Sequence, residues 1–210
     1  MLNIKIFIIM KTKQETANLT LAQKCAALNQ ELQVGYYVFS SGVVSKDKNA
    51  DSQISGVIIW KNSDESAEPG SRALMITLDR VKKAWSNLHR DFGGTNEVDG
   101  KANTQAILQS ANKQGLQAPA AMYCNEYAER GVSAGEGFLP SKEQLLQAAK
   151  NYDCINNALT NAGVPGLYGI YVSSTEYNKD REWEVRLENR SSHVYAKSYG
   201  GDYVRCFVAL

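Results

Sequence analysis

Two short segments near the end of the chain constrain its fold most strongly, because both alternate between apolar and polar residues. The alternation runs through residues 183–188 and again through residues 193–197. The apolar positions are Trp183, Val185, Leu187, Val194 and Ala196. A period of two is typical of strands that bury one face. Since the link 189–192 is short and polar, the segments predict a hairpin with one core face and one open face.

The open face of this predicted hairpin and its surroundings carry polar and aromatic side chains. They are Tyr177, Asn178, Lys179, Asp180, Arg181, Glu184, Arg186, Glu188, His193, Tyr195, Lys197, Tyr199, Asp202 and Tyr203. Tyrosine is frequent here, and it offers a large, stiff contact area at low entropic cost, as adaptable binding surfaces require. The same residues also fit an ordinary solvated sheet face. The pattern therefore leaves a ligand-binding surface and a plain outer face both open.

The order of the remaining elements predicts the fold class. Apolar runs of strand length occupy residues 36–39, 43–44, 56–60, 73–78 and 203–210. Helical spacing occupies residues 102–113, 119–130, 142–150 and 153–162. Ser141 precedes the third of these helices as a predicted N-cap, and residues 79–88 are ambiguous, with spacing that suits a short helix. Strands, then helices, then strands predict an α+β fold rather than an alternating α/β fold.

An N-terminal helix is predicted from Glu15 to Leu32, because apolar residues recur there at helical spacing. The apolar stripe consists of Leu21, Cys25, Leu28 and Leu32. Such a stripe can pack on its own domain or against the helix of a second copy, which would make a homo-oligomer. The chain is accordingly divided into an N-terminal helical segment, residues 1–33, and a main domain, residues 34–210.

Charge and hydropathy argue against two classes of partner. The formal net charge is +1, and no basic patch is present that could contact phosphates, so we expect no nucleic-acid partner. No stretch approaches the roughly 20 apolar residues that a membrane-spanning helix needs. The apolar run from Ile6 to Met10 is too short for a secretory signal. We therefore expect a virion-associated or cytoplasmic protein rather than a secreted one.

Residues with catalytic or metal-binding chemistry are sparse. The 4 cysteines lack Cys-x-x-Cys spacing and only 2 histidines occur, which predicts buried free thiols rather than a zinc site. A disulfide of Cys206 with Cys124 or Cys154 is the alternative. The acidic pair Glu126 and Glu129 has the spacing of solvated surface charges. Since the sequence also lacks a phosphate-binding glycine loop and a nucleophile elbow, we expect no cofactor and no enzymatic activity.

Several motifs of the main domain resemble a known family. They are Phe138-Leu139-Pro140-Ser141, Tyr171-Val172-Ser173-Ser174-Thr175-Glu176, Trp183 and Val204-Arg205-Cys206. Together they resemble the C-terminal domain of Legionella collagen-like proteins, which is found in many gut-bacterial and phage proteins. Phe138 and Val172 stand where that family often has tryptophan. The resemblance covers about Val34 to Leu210 and implies a C-type-lectin-like fold, with a β-hairpin, strands, helices and C-terminal antiparallel strands after the N-terminal helix.

The resemblance also implies a function. Many similar domains are target proteins of diversity-generating retroelements, which mutagenise positions in the last strands, and residues 177–203 are similar to such a region. This implies a non-enzymatic protein that presents a binding face to a protein or glycan receptor on a cell surface, as phage receptor-binding proteins and bacterial adhesins do. Two alternatives remain. One is an oxidase similar to the formylglycine-generating enzyme, using Cys206 or Cys154. The other is a structural virion or pilus subunit assembled through the helix Glu15–Leu32.

Overall fold

The structure, a computed structural model, describes residues 19–64 and 66–210. Its helices are α1 (Leu21–Ala27), α2 (Gly100–Gln114), α3 (Pro119–Glu126), α4 (Lys142–Lys150) and α5 (Tyr152–Asn161). Its strands are β1 (Tyr37–Phe39), β2 (Val44–Ser45), β3 (Ile54–Lys61), β4 (Ala73–Thr77), β5 (Val81–Lys82), β6 (Gly137–Phe138), β7 (Ile170–Glu176), β8 (Arg181–Arg186), β9 (Ser191–Ala196), β10 (Tyr203–Val204) and β11 (Phe207–Ala209). The apolar run from Ile6 to Met10 and the predicted start of the N-terminal helix, residues 15–18, lie outside the described residues.

The strands form two sheets. The first sheet has the order β2-β1-β3-β4-β11-β6, and the second has the order β5-β10-β7-β8-β9. Within the described chain the strand pairs are antiparallel, except that β10 runs parallel to β7. Two strand-rich regions flank a helical middle, which confirms the predicted α+β class. The predicted hairpin β8–β9 is also confirmed, and the predicted strands β1 and β2 pair antiparallel.

Helix α4 begins at the residue that the sequence predicts. The Ser141 hydroxyl accepts a hydrogen bond from the Gln144 amide at 3.2 Å, and Gln144 Oε1 accepts from the Ser141 amide at 2.9 Å. This capping box satisfies two amides at the helix start. Gln144 Oε1 also accepts from the Gly100 amide at 3.1 Å. One side chain therefore ties the beginnings of α2 and α4 together.

Replacing Ser141 with alanine is expected to lower the free energy of unfolding by about 1 kcal/mol, because the cap is lost. Denaturant unfolding of the two proteins measures the difference. The matched control is Ser192→Ala, which removes a hydroxyl from the exposed strand β9 and should change stability by less than about 0.5 kcal/mol. Equal effects of the two substitutions would contradict the capping role.

Helix α3 is shorter than the predicted helix 119–130. It ends at Glu126, because the backbone of Tyr127 leaves the helical region with ψ of 115°. The Tyr127 hydroxyl donates to Asp79 Oδ2, which the Arg130 guanidinium also contacts at 3.0 Å. The side chains of Tyr127 and Arg130 thus hold the loop against the end of the first sheet instead of extending the helix.

Helix α1 packs on its own domain. Leu21, Cys25 and Leu32 are buried in the same core as Val38 and Ile58. These members of the apolar stripe are therefore not available to contact a second copy of the chain. The predicted extent to Leu32 is wrong, since the helix ends at Ala27 and leaves Leu28 exposed. Beyond it, the Gln30 side chain bonds to the backbone of Gly42 and Val44. The boundary between residues 33 and 34 stays a prediction.

The last residues form two strands where the sequence predicts one. Strand β10 belongs to the second sheet and β11 lies between β4 and β6 in the first. Arg205 and Cys206 make the crossing, and both are buried. The Arg205 Nη2 donates to the carbonyl oxygens of Leu78 and Pro165 at 3.2 and 2.8 Å. The chain end thereby links the two sheets.

Both faces of the second sheet are covered near its middle. On one face Val185 and Leu187 belong to the core that contains helices α4 and α5. On the other, Val172 packs in a core with Trp85 and Phe92. The ambiguous segment 79–88 forms β5 and then a loop, from which Trp85 Nε1 donates to the Ser173 carbonyl at 2.9 Å. This loop covers part of the face that the sequence predicts to be open.

Candidate binding surface

Two of the predicted open-face residues are buried. Glu184 and Lys197 are both 0% exposed, so the prediction that they face a ligand is wrong. The physical reason is the loop after β5, which approaches this face of the sheet. It places Trp85 and Phe92 beside Lys197, whose Nζ lies 4.5 and 5.4 Å from the centres of the two rings.

Lys197 forms its hydrogen bonds and its ion pair in the interior of the protein. Its Nζ donates to Glu176 Oε2 at 3.0 Å and to the Arg90 carbonyl at 2.7 Å. Glu176 Oε1 accepts from the amides of Phe92 and Gly94 at 2.9 and 3.1 Å. Both charges of this pair are therefore compensated by close partners. The pair fastens the covering loop to strand β7 and to the end of β9.

Three carboxyl groups lie together beside this pair. Glu182 and Glu184 are 0% exposed, and their four carboxyl oxygens, with Asp202 Oδ2, have no hydrogen-bond donor within the described chain. Burial, followed by the charges of Asp202 and Glu182, raises the pKa of Glu184 to about 9. Burial raises the pKa of Glu182 to about 8. Glu182 and Glu184 are therefore protonated at neutral pH and do not present negative charge to a ligand.

An exposed aromatic surface is formed where β9 passes into the following loop. The rings of Tyr195 and Tyr199 lie 5.2 Å apart at 38° and are 43% and 47% exposed by residue. Asp180 lies at the same end of the hairpin, because its carbonyl accepts from the Lys197 amide at 3.1 Å. His89 joins Asp180 Oδ1 and Ser198 Oγ, each at 3.4 Å. We call these five residues the Tyr195–Tyr199 surface.

The turn between β7 and β8 holds the predicted residues Tyr177 to Asp180, and Arg181 begins β8. The Asn178 side chain accepts from the amides of Asp180 and Arg181, both at 2.9 Å, which orders the turn. Tyr177 is exposed and packs its edge on Trp183, with ring centres 5.4 Å apart. Trp183 pairs with Val194 and Glu182 pairs with Tyr195, so Trp183 and Tyr195 lie on opposite faces of the sheet. Lys179 is exposed in the same turn.

Other predicted residues lie at the far end of strand β8. Arg186 pairs with Ile170, and Glu188 accepts from the Gly169 amide at 2.6 Å. Strand rise places Arg186 about 17 Å from Arg181. Tyr203 lies in β10, where the Arg80 guanidinium covers its ring at 3.8 Å. The predicted residues therefore do not form one continuous face.

His193 and Asp202 complete the predicted set. His193 is exposed on the edge strand β9, and its Nε2 lies 2.8 Å from Ser191 Oγ. Asp202 is half-buried in the loop that joins β9 to β10. Neither residue belongs to the Tyr195–Tyr199 surface as defined above, although His193 lies two positions from Tyr195 on the same strand.

Sequence reasoning misses several residues that shape these surfaces. His89 and Ser198 frame the Tyr195–Tyr199 surface, but they are 109 positions apart and no local pattern joins them. Tyr168 is 51% exposed and stacks with Arg80, whose guanidinium lies 4.4 Å from its ring centre. Its place in the tyrosine-rich segment was the available signal. Lys142 lies 4.8 Å from the Trp183 ring and was predicted only as a helix residue.

A separate concavity of about 700 Å³ lies beside the end of α3. Asp79, Tyr123, Tyr127 and Arg130 are among its lining residues, together with the predicted surface charges Glu126 and Glu129. Asp79 is already bonded to Tyr127 and Arg130. Burial raises the pKa of Tyr123, so its phenol stays protonated. The pocket shares no lining residue with the Tyr195–Tyr199 surface.

All four cysteines are free thiols, as the residue pattern predicts, although Cys154 is exposed rather than buried. Burial raises the pKa of Cys25 to about 12 and that of Cys124, which lies beside Cys206, well above its usual value. The hydrogen-bonding and ion-pair partners of the histidines are Asp180, Ser198 and Ser191. Across residues 19–64 and 66–210, no three His, Cys, Asp or Glu side chains are arranged to hold a metal ion.

Comparisons with known proteins show a shared fold. No protein-family model matches the chain, and no curated protein sequence matches it. In the part of the chain that the structure describes, no helix is long and apolar enough to cross a membrane. The fold is similar to a crystal structure of a fimbrial protein from Bacteroides ovatus, with a TM-score of 0.70 and 14% sequence identity. The match covers 86% of this chain and 49% of that one, so this chain spans about half the length of the fimbrial protein.

Proposed function

We propose that this protein is a non-enzymatic binding module that presents the Tyr195–Tyr199 surface to a protein or glycan receptor on another surface. The observation that carries the proposal is the stacked, half-exposed tyrosine pair on a base fixed by buried ions. Tyrosine rings lose little conformational entropy on binding, and their hydroxyl groups can bond to a polar ligand. A bacterial adhesin or a phage receptor-binding protein would use such a surface.

The neighbouring exposed residues extend this surface. They are Asn178, Lys179, Arg181 and His193, whereas Tyr177 is exposed against Trp183, on the opposite face of the sheet. On the proposed C-type-lectin-like scaffold, the buried residues Val185, Leu187, Val204 and Arg205 are the framework and the exposed residues are free to vary. This distribution supports the proposal that the region is a target of a diversity-generating retroelement. A reverse-transcriptase gene and a near-copy of the 3′ end in the neighbouring DNA are the expected signs, and their absence would refute this part.

The double substitution Tyr195→Ala and Tyr199→Ala is expected to abolish binding while leaving stability nearly unchanged. Losing two aromatic contacts at the centre of an interface weakens binding at least about tenfold, whereas exposed side chains add little to folding. Binding is measured on a glycan array and on intact bacterial and epithelial cells. Tyr168→Ala, an equally exposed tyrosine outside this surface, should bind as the unaltered protein does. Unchanged binding in the double variant would count against the proposal.

A structural subunit of a fimbria is the second candidate, and the fold similarity to a fimbrial protein favours it. This function requires that copies of the chain assemble. Light scattering of the full chain and of a variant lacking residues 2–18 tests it. Assembly by the full chain that disappears in the shortened chain would favour the subunit function. A monomer in both cases, together with tyrosine-dependent binding, would favour the binding module. The shortened chain keeps Leu21, Cys25 and Leu32, which the core needs.

A further inference from the structure

The loop of residues 198–202 carries Tyr199 and joins β9 to β10. Few contacts hold it in place, and one of them is that of Ser198 Oγ with His89 Nε2 at 3.4 Å. The Tyr199 amide donates to the Ala196 carbonyl at 2.9 Å, the Tyr199 ring folds over Gly201, and Gly200 lies against Ala84. Two adjacent glycines give this segment more backbone freedom than other residues would. Its far end runs into β10, where Tyr203 pairs with Lys82 and Tyr171, and its last residue, Asp202, is half-buried.

Asp202 faces a carboxyl group. The side chains within hydrogen-bonding reach of Glu184 are those of Asp202 and Glu182, and no N–H or O–H donor of the described chain reaches either glutamate. Two carboxyl groups bond to each other only when one of them carries a proton. The contact between the loop and the sheet therefore depends on protonation.

The other charged and titratable side chains near these carboxyl groups donate no hydrogen bond to either glutamate. The charge of Lys197 lowers the pKa of Glu182, but Lys197 is already bonded to Glu176. The charges of Lys82 and Arg186 lower the pKa of Asp202. Across the strands, Glu182 pairs with Glu176 on one side and Tyr195 on the other, and Glu184 pairs with His193. His193 is exposed and bonds to Ser191. Ionisation of Glu182 and Glu184 would thus place two adjacent negative charges on side chains that are fully buried and have no hydrogen-bond donor.

We propose that Glu182, Glu184 and Asp202 form a proton-operated latch that holds loop 198–202, and with it Tyr199, against the sheet. When the carboxyl groups release their protons to solvent, repulsion and hydration of the carboxylates free the loop, and Tyr199 separates from Tyr195. The effect on ligand binding rests on the function proposed above, whereas the movement of the loop does not. Burial raises the pKa of all three groups above its ordinary value, and for Glu182 and Glu184 it puts the release of the proton on the alkaline side of neutrality.

Residue-resolved amide hydrogen exchange of the full chain, without ligand, tests the latch. Between about pH 6 and about pH 9, after correction for the intrinsic rate, protection of the Tyr199 amide should fall at least about tenfold. The Lys197 amide, bonded to Asp180, and the Ile58 amide, bonded to Tyr36, should lose protection only as far as the free energy of global unfolding falls, and both should stay better protected than the Tyr199 amide. The double variant Glu184→Gln and Asp202→Asn should keep Tyr199 protected throughout. The control Glu126→Gln alters an exposed carboxyl group and should behave as the unaltered protein does.

Three outcomes would overturn the latch. The first is protection of the Tyr199 amide that does not change with pH. The second is a Tyr199 amide whose protection equals that of the Ile58 amide at every pH, which would mean that both exchange only by unfolding of the whole domain. The third is full recovery of protection at about pH 9 on adding millimolar calcium, because the carboxylates would then hold a cation rather than protons. Since no ligand is used, failure of this experiment leaves the proposed binding function standing, and failure of the tyrosine variants leaves the latch standing.

Discussion

Replacing Lys197 with methionine is expected to lower the free energy of unfolding by about 3–5 kcal/mol, which is the usual cost of removing one partner of a buried ion pair. Lys197 is fully buried and the Glu176 side chain is only 4% exposed. Without the ammonium, Glu176 keeps its bonds to the amides of Phe92 and Gly94, but its charge loses the compensating cation. The Arg90 carbonyl also loses its donor.

Denaturant unfolding at neutral pH measures this effect. Methionine keeps much of the volume of the lysine stem beside Trp85 and Phe92, so the substitution tests charge rather than packing. Adding Glu176→Gln to Lys197→Met should recover part of the loss, because no uncompensated charge then remains. The matched control is Lys179→Met, which removes an exposed lysine from the β7–β8 turn and should cost less than about 0.5 kcal/mol. A loss below about 1 kcal/mol for Lys197→Met would show that the pair does not fasten the loop.

The second large effect is on pH dependence: the protein should lose stability as pH rises, and Glu184→Gln should remove part of that loss. The unfolded chain releases the Glu182 and Glu184 protons near their ordinary pKa of 4.5, whereas the folded chain holds them to about 8 and about 9. The folded state therefore binds more protons across this window. Its extra stability is complete below pH 4.5 and disappears through pH 8 to 9. Each group contributes a slope of about 1.4 kcal/mol per pH unit at most.

Glutamine has nearly the shape of a protonated glutamate but cannot ionise. Glu184→Gln should therefore be more stable than the unaltered protein by about 2 kcal/mol or more at about pH 8, and similar to it at about pH 5. Urea unfolding at both values is the measurement, with Glu126→Gln as an exposed control. Unaltered protein that becomes more stable between these pH values, or a variant with the same slope, would show that the carboxyl groups are hydrated and ionised.

Local patterns in the sequence were sufficient to predict the β8–β9 hairpin of the second sheet. Alternation identified β8 and β9, and their pairing follows from the short polar link between them. It also identified Val185 and Leu187 as core residues. The cap at Ser141 could be predicted because its partner Gln144 is only three positions away. These features depend on neighbours in sequence, so a single chain carries the information.

The candidate surface could be predicted only in part, because contacts distant in sequence decide which residues are exposed. The alternation places Glu184 and Lys197 on the open face of the hairpin. In the structure, a loop from far upstream in the sequence covers both side chains. The Lys197 Nζ meets the Arg90 carbonyl, 107 positions away. Trp183 shows the opposite case. The alternation predicts that it is a core residue, but it is only half-buried and packs against Tyr177. Tyr195 and Tyr199 remain exposed because they lie on an edge strand and in the loop that follows it.

The most direct test of the binding account is site-specific photo-crosslinking of the full chain on intact cells. A benzophenone amino acid is placed at position 195, at position 199 or, as a control, at position 168, where the native tyrosine is equally exposed. We expect positions 195 and 199 to crosslink to the same cell-surface molecule and position 168 not to crosslink to it. Crosslinking from position 168 that equals or exceeds that from positions 195 and 199 would contradict it.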